Sequence, residues 1–351
     1  MIYIIIDILI QIDIIKRMMK PKILITLPTG KTGFSTVKSL LKEGYFVRIL
    51  VRNLNKKALE LQSMGAKVIF GELNDPETWK ASLSDIDHVY YCYPYEPGMP
   101  QSVKIFTEEA KKMNVKAIIF MGQRIAEFDD TGSQLTNDIR HSYRILEESK
   151  LPYILFAPGY FADNVFVLSE FIKYLGLFPN PFGEGSNPWI STENLSQCLV
   201  SLLKNPFPYL GQRLFPTGPK SISTKEMNEI FEKVLKRKVI KINIPKWMFL
   251  KAGFLSGKEF GFGKFAIVQG SFYNEQFKNN RFDFVPTSIV KELIGREADD
   301  FETIMQTNFE ELSQRYHPLT GFIKTFFRFN LIPFIPIPNR LEIQKMNESL
   351  A

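Results

Sequence analysis

Between residues 22 and 157 the apolar positions alternate between two rhythms: short β-branched runs, and longer stretches whose apolar residues recur every three to four positions. Residues 22–26, Phe46–Val51, Lys67–Phe70, His88–Cys92, Ala117–Met121 and Tyr153–Ala157 read as buried strands. Helical patterns lie between them. In residues 34–43, Val37, Leu40 and Leu41 share a face before Gly44; Asn55–Met64 closes on Gly65; two more fall near 101–113 and 138–149. Asp75-Pro76-Glu77 supplies an N-cap, a proline for the first helical position and an acidic first turn. Strands alternating with helices predict βαβ units, hence an α/β fold with a doubly wound parallel sheet.

After Pro158 the alternation loosens. Helices are expected at Phe161–Leu175, Thr192–Leu203, Thr224–Leu235 (capped by Ser223 or Thr224), 246–255, 264–275, 287–293 and 300–312, with a short strand at Arg213–Phe215. This predicts a nucleotide-type domain over 21–160 and a smaller C-terminal α/β lobe over 161–312, some of whose strands return to the main sheet. Residues 1–20 hold a β-branched run interrupted by Asp7 and Asp13, expected to lie outside the fold. In 313–351, the segment 322–338 is aromatic and broken by Pro333, Pro336 and Pro338, a spacing that argues against a continuous helix. This tail is expected to pack along the body or cap an apolar surface, and either end offers a weak membrane contact.

Composition narrows the function classes. The chain has 351 residues, 45% apolar and 23% charged, as in ordinary globular proteins. Two cysteines, Cys92 and Cys198, make no disulfide framework, and three histidines, His88, His141 and His317, leave no set for a structural zinc; no metal is expected. A reducing, cytoplasmic setting fits this usage. The net charge of +7 is scattered without a basic block, so nucleic acid is not the expected partner.

The first strand runs into Leu27-Pro28-Thr29-Gly30-Lys31-Thr32-Gly33, and a helix follows at once. Such a turn aims main-chain N–H groups and the positive helix end at an anion. Thr29, Gly30, Lys31, Thr32 and Gly33 are therefore candidate phosphate contacts, with Gly30 admitting the pyrophosphate and Gly33 the close helix packing. A P-loop would need glycine at position 25, which is Ile25. Twenty-two positions after Gly30 the second strand ends at Arg52, where an acid would favour NAD and an arginine favours the NADP 2′-phosphate. NADP(H) is thus preferred over NAD(H), with Lys56 a second candidate cation.

The loop, the Arg52-Asn53 pair, Gly71-Glu72-Leu73-Asn74-Asp75, Tyr91-Cys92-Tyr93-Pro94, the run Leu151–Asn164 and Trp189–Leu195 together resemble the NmrA-like family of atypical short-chain dehydrogenases. The resemblance covers roughly 21–312. It implies a Rossmann-like NADP domain with a substrate lobe. It also places Leu73 on the adenine side, and Tyr93 and Pro94 beside the nicotinamide. Tyr160, Phe161 and Asn164, after the sixth strand, are the expected substrate-pocket residues.

Two departures stand out. Leu27 replaces a glycine, giving the loop a bulkier entry, and none of the thirteen tyrosines is followed by lysine four positions on. Tyr143, on the helix where a catalytic tyrosine would sit, has Glu147 instead. Relatives often carry Lys or His at the position of Ile139; a slight shift of the helix would let His141 or Arg140 reach the site, and His141 is the leading proton-donor candidate. Gln123 stands near the usual serine and can hydrogen-bond a carbonyl. The expected function is an NADPH-dependent reductase of a small carbonyl, quinone or enone. The alternative is a redox sensor that binds NADP and regulates a protein partner, and a sugar-nucleotide epimerase ranks third. Cys92 reads as structural, and Asp129-Asp130 and Asp299-Asp300 as loop and capping residues.

Overall fold

A computed structural model describes residues 20–128, 132–260, 263–339, 342, 343 and 345. All but residue 20 of the expected leader at 1–20, and the Asp129-Asp130 pair, lie outside the described residues. The strands are β1 (Ile23–Thr26), β2 (Val47–Val51), β3 (Lys67–Phe70), β4 (His88–Tyr91), β5 (Ala117–Met121), β6 (Tyr153–Phe156), β7 (Leu177–Asn180), β8 (Ser186–Asn187), β9 (Arg213–Leu214), β10 (Ile222–Ser223) and β11 (Ile240–Asn243). Seven form one sheet in the order β3-β2-β1-β4-β5-β6-β9, every pair parallel. This is the Rossmann-like, doubly wound architecture.

β1 shows why both faces must be covered. Ile23 and Ile25 point into one core with Val37, Leu40, Leu195 and Leu199, while Leu24 points into the other with Trp79, Phe106 and Leu146. The helix Thr192–Lys204, from the C-terminal half, therefore packs beside Lys31–Lys42 on the nucleotide sheet. Sheet order reverses between β1 and β4, and there the Thr26 hydroxyl donates to Cys92 O and accepts from Cys92 N, both at 2.7 Å. That side chain holds the two strand ends at the switch point, where open α/β sheets bind ligands.

The caps sit where the sequence places them. Asp75 accepts from Glu77 N, Asp300 from Thr303 N, and Ser223 forms a reciprocal capping box with Glu226. Asp299 binds Asn194 and Arg296.

Two elements differ from expectation. Phe161–Leu175 is not one helix but a 3₁₀ segment, Ala162–Leu168, followed by a π turn, Phe171–Leu175. Outside partners compete with a regular start: Phe161 bridges to Ile190, and the Asp163 carboxylate accepts from Thr192 N at 2.8 Å and from its hydroxyl. The tail does form a helix, Pro318–Leu331, with Pro318 in its first turn; the breaking prolines begin only at Pro333. Beyond it, Ile337 and Ile343 cover a small apolar cluster around Leu250, Ile267 and Val268. Among the described residues no helix is long and apolar enough to cross a membrane.

Candidate nucleotide and substrate site

A cavity of about 630 Å³ opens at the C-terminal ends of β1, β4, β5 and β6 and extends under the C-terminal lobe. Its polar end is the Leu27–Gly33 turn. Leu27 adopts φ +48°, the left-handed region, and its carbonyl accepts from Gly30 N at 3.0 Å. Leucine thus carries the conformation that glycine would adopt without strain, and its side chain joins the cavity wall. Gly33 has no such latitude: a Cβ there would lie 2.5 Å from Leu27 O and 3.1 Å from Pro28 Cα. The first bond of the helix runs from Phe34 N to Gly30 O, so the first-turn amides precede its own ladder.

The side chains of the turn have separate duties. Thr32 lines the cavity, but its hydroxyl pairs with Tyr90 at 2.8 Å, and its carbonyl accepts from Ser196 at 3.1 Å. Lys31 reaches across the cavity to donate to Asn164 Oδ1 at 3.1 Å, joining the two lobes. Burial lowers its ammonium to about 8, against the opposing pull of Asp163. Lys57, not Lys56, approaches the loop: its ammonium lies 3.4 Å from Thr29 O and 5.0 Å from the Phe34 ring centre, while Lys56 faces solvent.

Arg52 sits at the rim, with Glu96, which lines the cavity, bound to its guanidinium and Glu72 at 3.6 Å. The Leu73 carbonyl accepts from Trp79 and Ser102, so this residue props the Gly71–Asp75 turn without itself lining the cavity. Tyr93 and Pro94 do line it, and the Tyr93 hydroxyl is tied to Pro97 O at 2.8 Å.

At the other end Gln123 projects between two phenols: Nε2 lies 3.1 Å from Tyr95 OH, and Oε1 accepts from Tyr273 OH. Tyr160, Phe161 and Asn164 line the same space. Tyr143 does not. It is buried beneath Gly122-Gln123, accepting from Gln123 N at 2.7 Å, and burial drives its phenol far above its ordinary range, so it positions the strand end. His141 is solvent-exposed and absent from the cavity wall, because the inward face of the helix Gln134–Glu148 carries Leu135, Asp138 and Ile139.

Asp138 is the residue the sequence reading missed. It is 5% exposed; Oδ1 accepts from Gln134 Nε2 at 2.9 Å, and Oδ2 is buried with no hydrogen-bond partner among the described residues. Burial raises its carboxyl above the usual carboxylate range, partly offset by Gln134 and by the nearby His141. Cys92, at the strand end, has its thiol pushed up to about 12 by burial, which fits a structural role.

These residues fit a dinucleotide: a close-approach glycine, first-turn amides and a half-buried ammonium sit at the switch point, with a guanidinium on the rim at the end of β2. Comparison with known proteins points the same way. The NmrA-like family profile matches residues 19–323. The chain is 28% identical over 205 residues to the NAD(P)H azoreductase of Xenophilus azovorans, covering 58% of this chain and 71% of that one. It is 26% identical over 303 residues to Prestalk A differentiation protein A of Dictyostelium discoideum, covering 84% and 94%. Among solved structures, an NADPH-dependent quinone oxidoreductase from Escherichia coli, complexed with NADPH, aligns with a TM-score of 0.69 at 17% identity, covering 83% and 99%. The triphenylmethane reductase of Citrobacter sp., complexed with NADP(H), gives 0.68 at 17% identity, covering 81% and 99%. At these identities the structural likeness supports the fold.

Proposed function

Because the chain belongs to the NmrA-like family, we propose that it is an NADPH-dependent reductase of an apolar, electron-poor acceptor, a quinone or enone in preference to a small polar carbonyl. The observation that carries this reading is the continuity of the cavity: the phosphate turn and an aromatic-lined chamber share one space. Its volume of about 630 Å³ falls within the range of pockets that enclose drug-sized ligands. Related proteins named for NAD(P)H-dependent reduction support the reading.

Bound there, the nicotinamide supplies the hydride. Main-chain amides of the Leu27–Gly33 turn and the Lys31 ammonium would hold the pyrophosphate, and Arg52, now paired with Glu96, would hold the 2′-phosphate and so select NADPH over NADH. The Gln123 amide, oriented between Tyr95 and Tyr273, hydrogen-bonds the acceptor oxygen. Asp138, which lines the cavity and whose carboxyl burial holds above the usual carboxylate range, is the group placed to give the proton. No Tyr-x-x-x-Lys pair is needed, because a carboxylic acid in an apolar wall does the same task.

The test is NADPH oxidation across a panel of quinones and enones, with Asp138→Asn and His141→Ala beside the parent chain. Asp138→Asn is expected to slow turnover about 100-fold and to flatten the fall in rate as pH rises through the acid's raised pKa. His141→Ala should leave the rate unchanged. Tight NADPH binding with no oxidation anywhere in the panel would replace this reading by that of a redox sensor acting on a protein partner.

A further inference from the structure

The tail helix Pro318–Leu331 is inside out. Leu319, Phe322, Ile323, Phe326, Phe327 and Leu331, spaced three and four apart, are 44–64% exposed, and Phe334 beyond them is 82% exposed. Its inward face is small and polar. A Cβ on Gly321 would lie 2.4 Å from the Tyr174 ring, Thr325 is buried, and Arg328 binds buried Glu170 at 2.9 Å and Glu259 at 2.8 Å. Lys324 donates to the Tyr316 hydroxyl at 2.7 Å. A water-facing amphipathic helix turns the other way. Rotating this one inward would strip the buried Glu170 carboxylate of its partner, which is costly.

Charge singles out the same region. The tail helix's own cations, Lys324 and Arg328, are turned inward onto Glu170. Residues 246–264 hold Lys246, Lys251, Lys258 and Lys264 against Glu259, a net +3 in the sequence, and Glu259 is itself paired with Arg328. The two segments touch, since the helix Lys246–Ser256 packs against Ile332–Phe334 and Lys251 donates to Pro333 O. On that helix Trp247 is 49% exposed.

We propose that this face seats the protein on an anionic lipid bilayer, with the helix Pro318–Leu331 lying in the plane of the interface. Exposed aromatic and aliphatic side chains enter the acyl boundary while Lys246, Lys251 and Lys264 of the neighbouring segment meet the headgroups, the two signals that stable interfacial binding requires. At fourteen residues the helix is too short to span. A second copy of the chain would present the same positive charge to this face, which disfavours a symmetric dimer there. From the inner side of the same segment Phe329 and Ile332 line the cavity, so the docked face and the chamber share a wall.

The test is co-sedimentation of the full chain with vesicles of phosphatidylcholine alone and of phosphatidylcholine with phosphatidylserine, without nucleotide, so that it is independent of the reductase reading. The chain is expected to bind the phosphatidylserine vesicles, less so as salt rises. Phe327→Asp and Phe334→Asp should each weaken binding about tenfold or more with unchanged melting temperatures, because both rings stand in solvent. The proposal is overturned if neither vesicle sediments the protein or if both variants bind as the parent does. It is equally overturned if the chain is a dimer that Phe327→Asp dissociates and vesicles leave alone.

Discussion

The end of the cavity proposed for the nucleotide is built from main chain within Leu27–Gly33, whereas the opposite end is built from side chains of Tyr95 and of residues gathered between 121 and 332. At the first, strand ends fixed by seven parallel strands hold backbone atoms within 2.5–3.2 Å of where a Cβ would intrude. At the second, 3₁₀ and π segments and two helices present aromatic and aliphatic groups that can repack. On the proposed reading, the difference teaches that this chain would fix its cofactor geometry rigidly and leave its acceptor end adaptable, as expected when loops and appended elements vary on a constant scaffold.

Substitution at each end can break that contrast. Gly33→Ala puts a methyl against Leu27 O and Pro28 Cα, backbone atoms that cannot yield, and should weaken NADPH binding about 10–100-fold; nicotinamide fluorescence checks it. Phe249→Ala, in the opposite wall, should shift the acceptor KM several-fold while NADPH affinity stays within about twofold. Comparable losses of NADPH binding in both variants would erase the distinction.

A smaller effect sharpens the role of Lys31. Burial lowers its pKa to about 8, so in the free protein it is mostly protonated at neutral pH and mostly neutral near pH ~9. A phosphate beside it raises that pKa again, so NADPH binding at about pH 9 should take up nearly one proton. Calorimetry in buffers of different ionisation enthalpy measures this uptake, and Lys31→Met should abolish it. Equal uptake in the variant would assign the proton elsewhere.

The same contrast decides what was legible in the sequence. The six strands before Pro158, the glycine turn and the caps at Asp75, Ser223 and Asp300 follow from local pattern, because period and capping chemistry are carried within a few residues. Side-chain direction was not legible. Lys56, expected as a second cation for the 2′-phosphate, is exposed, while its neighbour Lys57 meets the Leu27–Gly33 loop, since one residue turns a helix by about 100°. On the helix Gln134–Glu148 the cavity face is Leu135, Asp138 and Ile139, and His141 lies about 200° around from Ile139. An acidic residue next to the apolar stripe at Ile139 was the available signal for Asp138. The tail misled for another reason: its prolines argued against a helix, yet they break the chain only from Pro333 on, and the Arg328–Glu170–Lys324 cluster that orients the helix Pro318–Leu331 depends on a partner more than 150 residues away that nothing local announces.

The most direct test of the central claim, that this cavity holds NADPH with Arg52 on its 2′-phosphate, is a nicotinamide-fluorescence titration of the parent chain and Arg52→Ala with NADPH and with NADH. The account predicts tighter NADPH binding by the parent, a loss of about 10–100-fold for NADPH in the variant, and little change for NADH. Equal losses for both nucleotides, or no binding of either by the parent, would contradict it.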